Sequence, residues 1–177
     1  EIAFIKQLDG GRDWIVPLFT QTSGDYLHLN TSAAEATDTD KWSAVSSTTF
    51  TIGNDPFTNG TGSPYIAYLW YSVTGHSSIG SYSGNGSATG PIVTFAGSGF
   101  KPRFVLIKRT DGTNSWAIHD SQRSLTNPRD KELFANLSDA EGTFTALDFL
   151  SNGFQLKTSN SLYNASGTNN YIYMAFK

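Results

Sequence analysis

The stretch "EIAFIKQLDGGRDW" at residues 1–14 returns about a hundred residues later as "RFVLIKRTDGTNSW" at 103–116. Phe4-Ile5-Lys6 lies against Leu106-Ile107-Lys108, Asp9-Gly10 against Asp111-Gly112, and Trp14 against Trp116. The match continues in order. "DYLHLNTSAAEA" (25–36) aligns with "KELFANLSDAEG" (131–142), "TTFTIGN" (48–54) with "NGFQLKT" (152–158), and "TNGTGSPYIAYLW" (58–70) with "YNASGTNNYIYMAF" (163–176). Colinearity over so many blocks is an internal duplication. Two copies are too few for a solenoid, so each copy has to be a domain or most of one. That single fact limits the chain to two related folds placed in series.

The division expected from it is a first repeat over 1–75 and a second over 76–177. The second copy reads as eight short strands, near 79–83, 91–96, 103–109, 116–120, 132–137, 144–150, 153–158 and 171–176, with turn residues between them. Such spacing predicts an all-β fold, a β-sandwich or jelly roll. The first two of these strands have no counterpart in the first copy, whose leading strands are expected upstream of Glu1. "NPRDKELFANL" has the look of a helix start, with Asn127 as cap and Pro128 behind it, but its partner "SGDYLHLN" alternates in strand fashion, so a strand is expected. Asp111-Gly112 signals a tight turn that joins two strands as a hairpin.

Composition supports the strand reading. Only 15% of residues are charged and 14% are aromatic, which suits short strands and polar turns over amphipathic helices. The formal net charge is −3 and no basic stripe gathers Lys and Arg, which argues against a nucleic-acid partner. No run has the length needed for a membrane helix, so no membrane insertion is expected. Cysteine is absent, which leaves neither disulfides nor thiolate metal sites.

Motifs for chemistry are sparse. "GSYSG" and "GHSSI" fail the nucleophile-elbow pattern. His28, His76 and His119 stand singly, without the spacing of a zinc site. Acids between Asp111 and Asp148 could supply a glycosidase pair, and Asp139 and Glu141 would share a face of an extended segment. "TDTD" (37–40) and "NDP" (54–56) offer oxygens to calcium, the one cofactor considered, without the alternating ligand pattern of a dedicated loop. "GNGSATG" (84–90) lacks the Lys-Ser/Thr of a phosphate loop and reads as a hairpin. Trp14 and Trp116 could stack on a pyranose, although their shared place beside the hairpin suits packing better.

The block from "YIAYLW" through "IGSYSGNG" and "GFKPRFVLIKRTD", then "FLSNGFQLKTS" and "NASG…YIYMAF", resembles an uncharacterised repeat module of tail and tail-fibre-like proteins of phages, many of them infecting marine bacteria. The resemblance covers almost the whole chain. It implies a concanavalin-like or lectin-like β-sandwich on the virion surface, in the tail, with other virion proteins and further copies of itself as partners. The function expected is non-enzymatic adhesion to a host surface glycan; a purely structural spacer and a polysaccharide-degrading enzyme are the alternatives. No functional residues accompany the resemblance. From chemistry alone the candidate ligand-binding residues are Trp116, Asn114, Asn85, Asn164 and Tyr82: aromatic faces for stacking, amides for hydroxyl groups.

Overall fold

The computed structural model describes residues 1–97, 99–166 and 170–177; residues 167–169 of the "NASGTNN" stretch lie outside them. The chain divides into two compact units, Glu1–Trp70 and Tyr71–Lys177. Both are built almost entirely from antiparallel strands.

The first unit holds a five-stranded sheet in the order β4 (Ala36–Thr37), β3 (Asp25–His28), β2 (Ile15–Pro17), β1 (Ile2–Gln7) and β7 (Tyr65–Trp70). A small ribbon of β5 (Ala44–Val45) and β6 (Phe50–Thr51) accompanies it. Ala3, Ile5, Ile15, Leu18, Leu27 and Trp42 are buried. The Trp42 indole, set edge-on against Phe19 at 5.1 Å between centroids, donates its N–H to the Asp25 carbonyl at 2.7 Å, so the one polar atom of a buried indole is satisfied.

The second unit is one eight-stranded sheet, in the order β8 (Ser77–Ser83), β15 (Asn170–Phe176), β10 (Phe104–Arg109), β11 (Ala117–Asp120), β12 (Arg129–Phe134), β13 (Gly142–Leu150), β14 (Gly153–Leu156) and β9 (Ile92–Thr94). Its two edge strands, β8 and β9, are neighbours in sequence, and the sheet curls until it nearly closes. The inner face carries the core, with Val105, Ile107, Ala117, Phe149, Phe154, Leu156, Tyr171 and Tyr173 packed together. A single helical turn, α1 (Ser161–Asn164), sits before β15.

The duplication is visible bond by bond. Ile5 faces Ile15 as Ile107 faces Ala117. Ile15 pairs with His28 and Val16 with Leu27, as Ala117 pairs with Phe134 and Ile118 with Leu133. Tyr26 pairs with Ala36 as Glu132 pairs with Gly142. The Trp14 N–H donates to Asn30 Oδ1 at 2.9 Å, and the Trp116 N–H donates to Asn136 Oδ1 at 2.9 Å. Tyr65 Oη donates to the Pro56 carbonyl and accepts from the Gly60 N–H; Tyr171 Oη donates to the Ser161 carbonyl and accepts from the Ala165 N–H. A Lys, a Trp–Asn pair and a Tyr therefore form the polar skeleton of both copies, tying loop backbone to sheet where main-chain partners run out.

All eight strands expected in the second copy are present, with ends shifted by a few residues. The helix-like "NPRDKELFANL" forms β12. Asn127 follows no helix: it donates through Nδ2 to the Phe149 carbonyl at 3.0 Å and accepts the Phe149 N–H at 2.9 Å, so its amide mimics a strand neighbour beside a cis Asn127–Pro128 peptide. The expected tight Asp111-Gly112 turn is corrected. Residues 110–116 separate β10 from β11, a wide loop held open because the buried Lys108 ammonium donates to the carbonyls of Arg109 and Gly112 and Asp111 pairs with Arg109 Nε at 2.7 Å.

Candidate functional site

The loop between β1 and β2 repeats that corner of the fold with different side chains. Here Lys6 donates to the carbonyls of Gly10 and Arg12, which fixes the loop so that Gly10, Gly11, Arg12 and Asp13 wall a cleft of about 520 Å³ together with Gln7 and Phe57. Gly10 has a direct role in this shape, since a Cβ there would lie 2.6 Å from Gln7 Oε1.

Gln7 reaches the corner from the last position of β1. Its Nε2 donates to Ser63 Oγ at 2.8 Å, while Oε1 is buried and has no hydrogen-bond partner among the described residues. An unmatched buried acceptor is costly in a protein interior, so a donor supplied from the cleft is the natural way to satisfy it. The Arg12 guanidinium lies 5.0 Å from the Phe57 ring centroid and pairs with no carboxylate among the described residues. Asp13 is held in place by Asn30 Nδ2 at 2.7 Å and stands 3.2 Å from His28 Nδ1. Burial lowers the pKa of His28, an effect that Asp13 opposes and Lys41 reinforces.

Phe57 is positioned by a turn: its N–H donates to Asp55 Oδ1 at 2.7 Å, and Asp55 also accepts from Lys41 Nζ at 2.9 Å. Beneath it, Lys41 Nζ lies 4.7 Å from the Tyr26 ring centroid and 5.2 Å from that of Phe57. The cleft thus combines an amide oxygen, a guanidinium, a carboxylate and an aromatic ring. That donor set suits a polar ligand with several hydroxyl groups and an apolar patch, as a sugar ring has.

The same corner in the second unit is closed. Arg109 takes the place of Gln7, Asn114 that of Arg12, Ser115 that of Asp13 and Leu162 that of Phe57. The Arg109 side chain pairs with Asp111 and extends to the Ser161 carbonyl at 3.5 Å, and a Cβ on Gly112 would meet Arg109 Nε at 2.8 Å.

Of the residues proposed from sequence, Asn85 and Asn164 are bonded to each other, and Tyr82 reaches the carbonyl of Tyr163 beside them. Asn164 is fully buried and ties down the Gly84–Thr89 loop: Nδ2 donates to Asn85 Oδ1, Ser87 O and Thr158 O, and Oδ1 accepts the Asn85 N–H at 2.6 Å. Tyr82 stacks on Tyr171 at 4.9 Å and donates to the Tyr163 carbonyl. Trp116 is 1% exposed, so its indole has no free face for a pyranose. Asn164 and Trp116 are therefore withdrawn as ligand contacts because the fold consumes their surfaces. Asn85 stays exposed at the loop, and Asn114 is half-buried at the closed corner. Trp14, by contrast, is half-buried and stacks on the exposed Tyr68 at 6.3 Å.

The oxygen-rich stretches considered for calcium are otherwise engaged. Asp38 and Asp55 both accept from Lys41 Nζ at 2.9 Å, so an ammonium stands between them; no three potential metal ligands converge among the described residues. Glu141 pairs with Arg123 at 3.2 Å. A separate buried chain links His119 Nε2 to Tyr163 Oη at 2.7 Å and Tyr163 to Glu132. Burial there holds the His119 pKa down to about 4 and raises that of Glu132.

Gln7, Arg12, Asp13 and Phe57 were not singled out from sequence. A signal existed in the aligned copies: these positions differ between repeats while the surrounding Lys, Trp, Asn and Tyr are kept. No curated protein and no solved structure matches the chain. A family model described as a domain of unknown function, DUF7483, matches residues 1–177, and the chain belongs to that family.

Proposed function

We propose that the protein is a non-enzymatic adhesion module of a phage virion surface, part of a tail fibre or tail appendage, and that the cleft of the first unit holds a saccharide of the host surface. The observation that carries this reading is the unpartnered, buried Gln7 Oε1 in the wall of a cleft that also presents Arg12, Asp13 and Phe57. A sugar hydroxyl is a donor of the right size for Oε1, and its neighbouring hydroxyls suit Asp13 and Arg12. Among the described residues Asp13 is the one carboxylate lining the cleft, whereas glycoside hydrolysis uses two across the scissile bond; this favours binding over cleavage. Weak single-site affinity would be raised by many copies on one particle.

The test is adsorption of the full chain, displayed on a multivalent carrier, to candidate host cells with and without periodate oxidation of their sugars. Saturable adsorption that periodate abolishes and Arg12→Ala weakens at least tenfold supports the reading. Adsorption unaffected by both treatments overturns it. The alternative is a structural spacer of the virion, for which no adsorption to any host would be expected in the same test.

A further inference from the structure

A second cleft, of about 310 Å³, lies wholly in the second unit and is lined by Lys101, Pro102, Arg103, Ser121, Arg129 and Lys177. Four of the chain's 12 Lys and Arg residues meet here, in a protein whose net charge is negative, so the clustering runs against the overall balance. None of the four forms an ion pair with a carboxylate among the described residues; Asp130, next to Arg129 in the chain, accepts from Ser124 Oγ at 2.8 Å, and two further acids pair elsewhere, Asp120 with Arg123 and Asp148 with Lys157.

Arg129 makes the cluster more than a solvated surface. It is 3% exposed. Its guanidinium lies 4.9 Å from the Phe149 ring centroid and donates through Nη1 to the Ser124 carbonyl, while Nε is buried with no hydrogen-bond partner among the described residues. Burial lowers its pKa, and the fields of Asp148 and Asp120 act against that. A buried guanidinium without a counter-charge is expensive, and arginine does not escape by losing its proton. The exposed Lys101, Arg103 and Lys177 add attraction at the mouth, and the Ser121 hydroxyl can donate as well.

We infer that this pocket binds an oxyanion, a carboxylate, sulfate or phosphate group, with Arg129 as its buried anchor and Lys101, Arg103 and Lys177 around it. The pocket is separate from the cleft of the first unit, and the inference stands without the adhesion reading. It assigns the pocket to one charged substituent, carried by an acidic polysaccharide or present as a free ion.

The experiment is calorimetric titration of the full chain with inorganic phosphate, sodium sulfate and a galacturonate oligosaccharide, each against sodium chloride of equal ionic strength. Saturable binding of at least one anion, weakened at least tenfold in the double variant Lys101→Ala/Arg103→Ala and unchanged in Arg12→Ala, is expected. These two residues are exposed, so the variant keeps its fold, which circular dichroism verifies; Arg129→Gln then tests the anchor. Uronate binding without inorganic binding assigns the site to a polysaccharide, and the reverse assigns it to a free ion. No saturable binding beyond the chloride control, or binding that the double variant leaves intact, overturns the inference.

Discussion

The two units share a polar skeleton and differ in what it is used for. In the second, the corner between β10 and β11 is sealed by Arg109, and β15 is buried along most of its length, with Tyr171 and Ala175 at 0% exposure. In the first, Gln7 leaves the corner open, and β7 exposes Ala67, Tyr68 and Leu69. The cause of the second difference is visible in the sheets. β15 is flanked by β8, and Tyr173 is covered by Phe95 and Phe154, whereas no strand flanks β7 on its outer edge among the described residues. The two corners thus differ through the side chains they carry, Arg109 filling one and Gln7 leaving the other open.

The sharpest way to break this comparison is to truncate equivalent tryptophans. Trp116→Ala empties a fully buried site and is expected to cost about 3–5 kcal/mol. Trp14→Ala removes a half-exposed ring and should cost less than half as much, and chemical denaturation of both variants measures the difference. Equal losses would mean that the units are equally closed.

Acid should act on the second unit next. The folded unit holds His119 neutral down to about pH 4, whereas an unfolded histidine takes up its proton near 6.5, so between those values the unfolded chain binds more protons. The stabilisation is full above about pH 6.5 and falls by on the order of 2–3 kcal/mol as pH drops to about 4. Glu132, whose pKa is raised, works in the opposite sense: its contribution is present at low pH and is lost as pH rises through its folded value. Unfolding followed from pH 7.5 to 4.5 in wild type and His119→Gln checks the sign; a variant with an unaltered pH slope would contradict it.

Smaller still is the effect expected for the paired asparagines. Asn164→Ala removes a buried amide that makes four hydrogen bonds and should cost about 2 kcal/mol. Its counterpart Asn59 is exposed and donates to Gly53 O alone among the described contacts, so Asn59→Ala should fall below about 1 kcal/mol in thermal unfolding.

Most of the strand framework was legible in the sequence, because apolar runs such as "FVLIKR" and "YIYMAF" punctuated by Gly and Asn leave few other options. The Asp111-Gly112 turn misled because the loop is shaped from a distance by Lys108 and Asn136, which no local dipeptide reveals. At the candidate corner, Asn114, chosen from sequence, occupies in the second copy the position that Arg12 holds in the first. The aromatic and amide residues chosen in the second unit have the chemistry of sugar contacts, but the same chemistry satisfies buried backbone, and only burial tells the two uses apart. Gln7 and Phe57 are fifty residues apart and meet only once β1 and the 55–60 turn are folded.

The central claim is that the open corner of the first unit, and not its closed counterpart, receives the ligand. The most direct measurement is an NMR titration of the full chain with neutral hexose oligosaccharides and their uronate-bearing counterparts, following the side-chain signals of Gln7, Arg12, Arg109 and Asn114. The account predicts saturable shifts at Gln7 and Arg12, abolished by Gln7→Arg, with Arg109 and Asn114 unmoved. Shifts confined to Arg109 and Asn114, or none at any of the four, would contradict it.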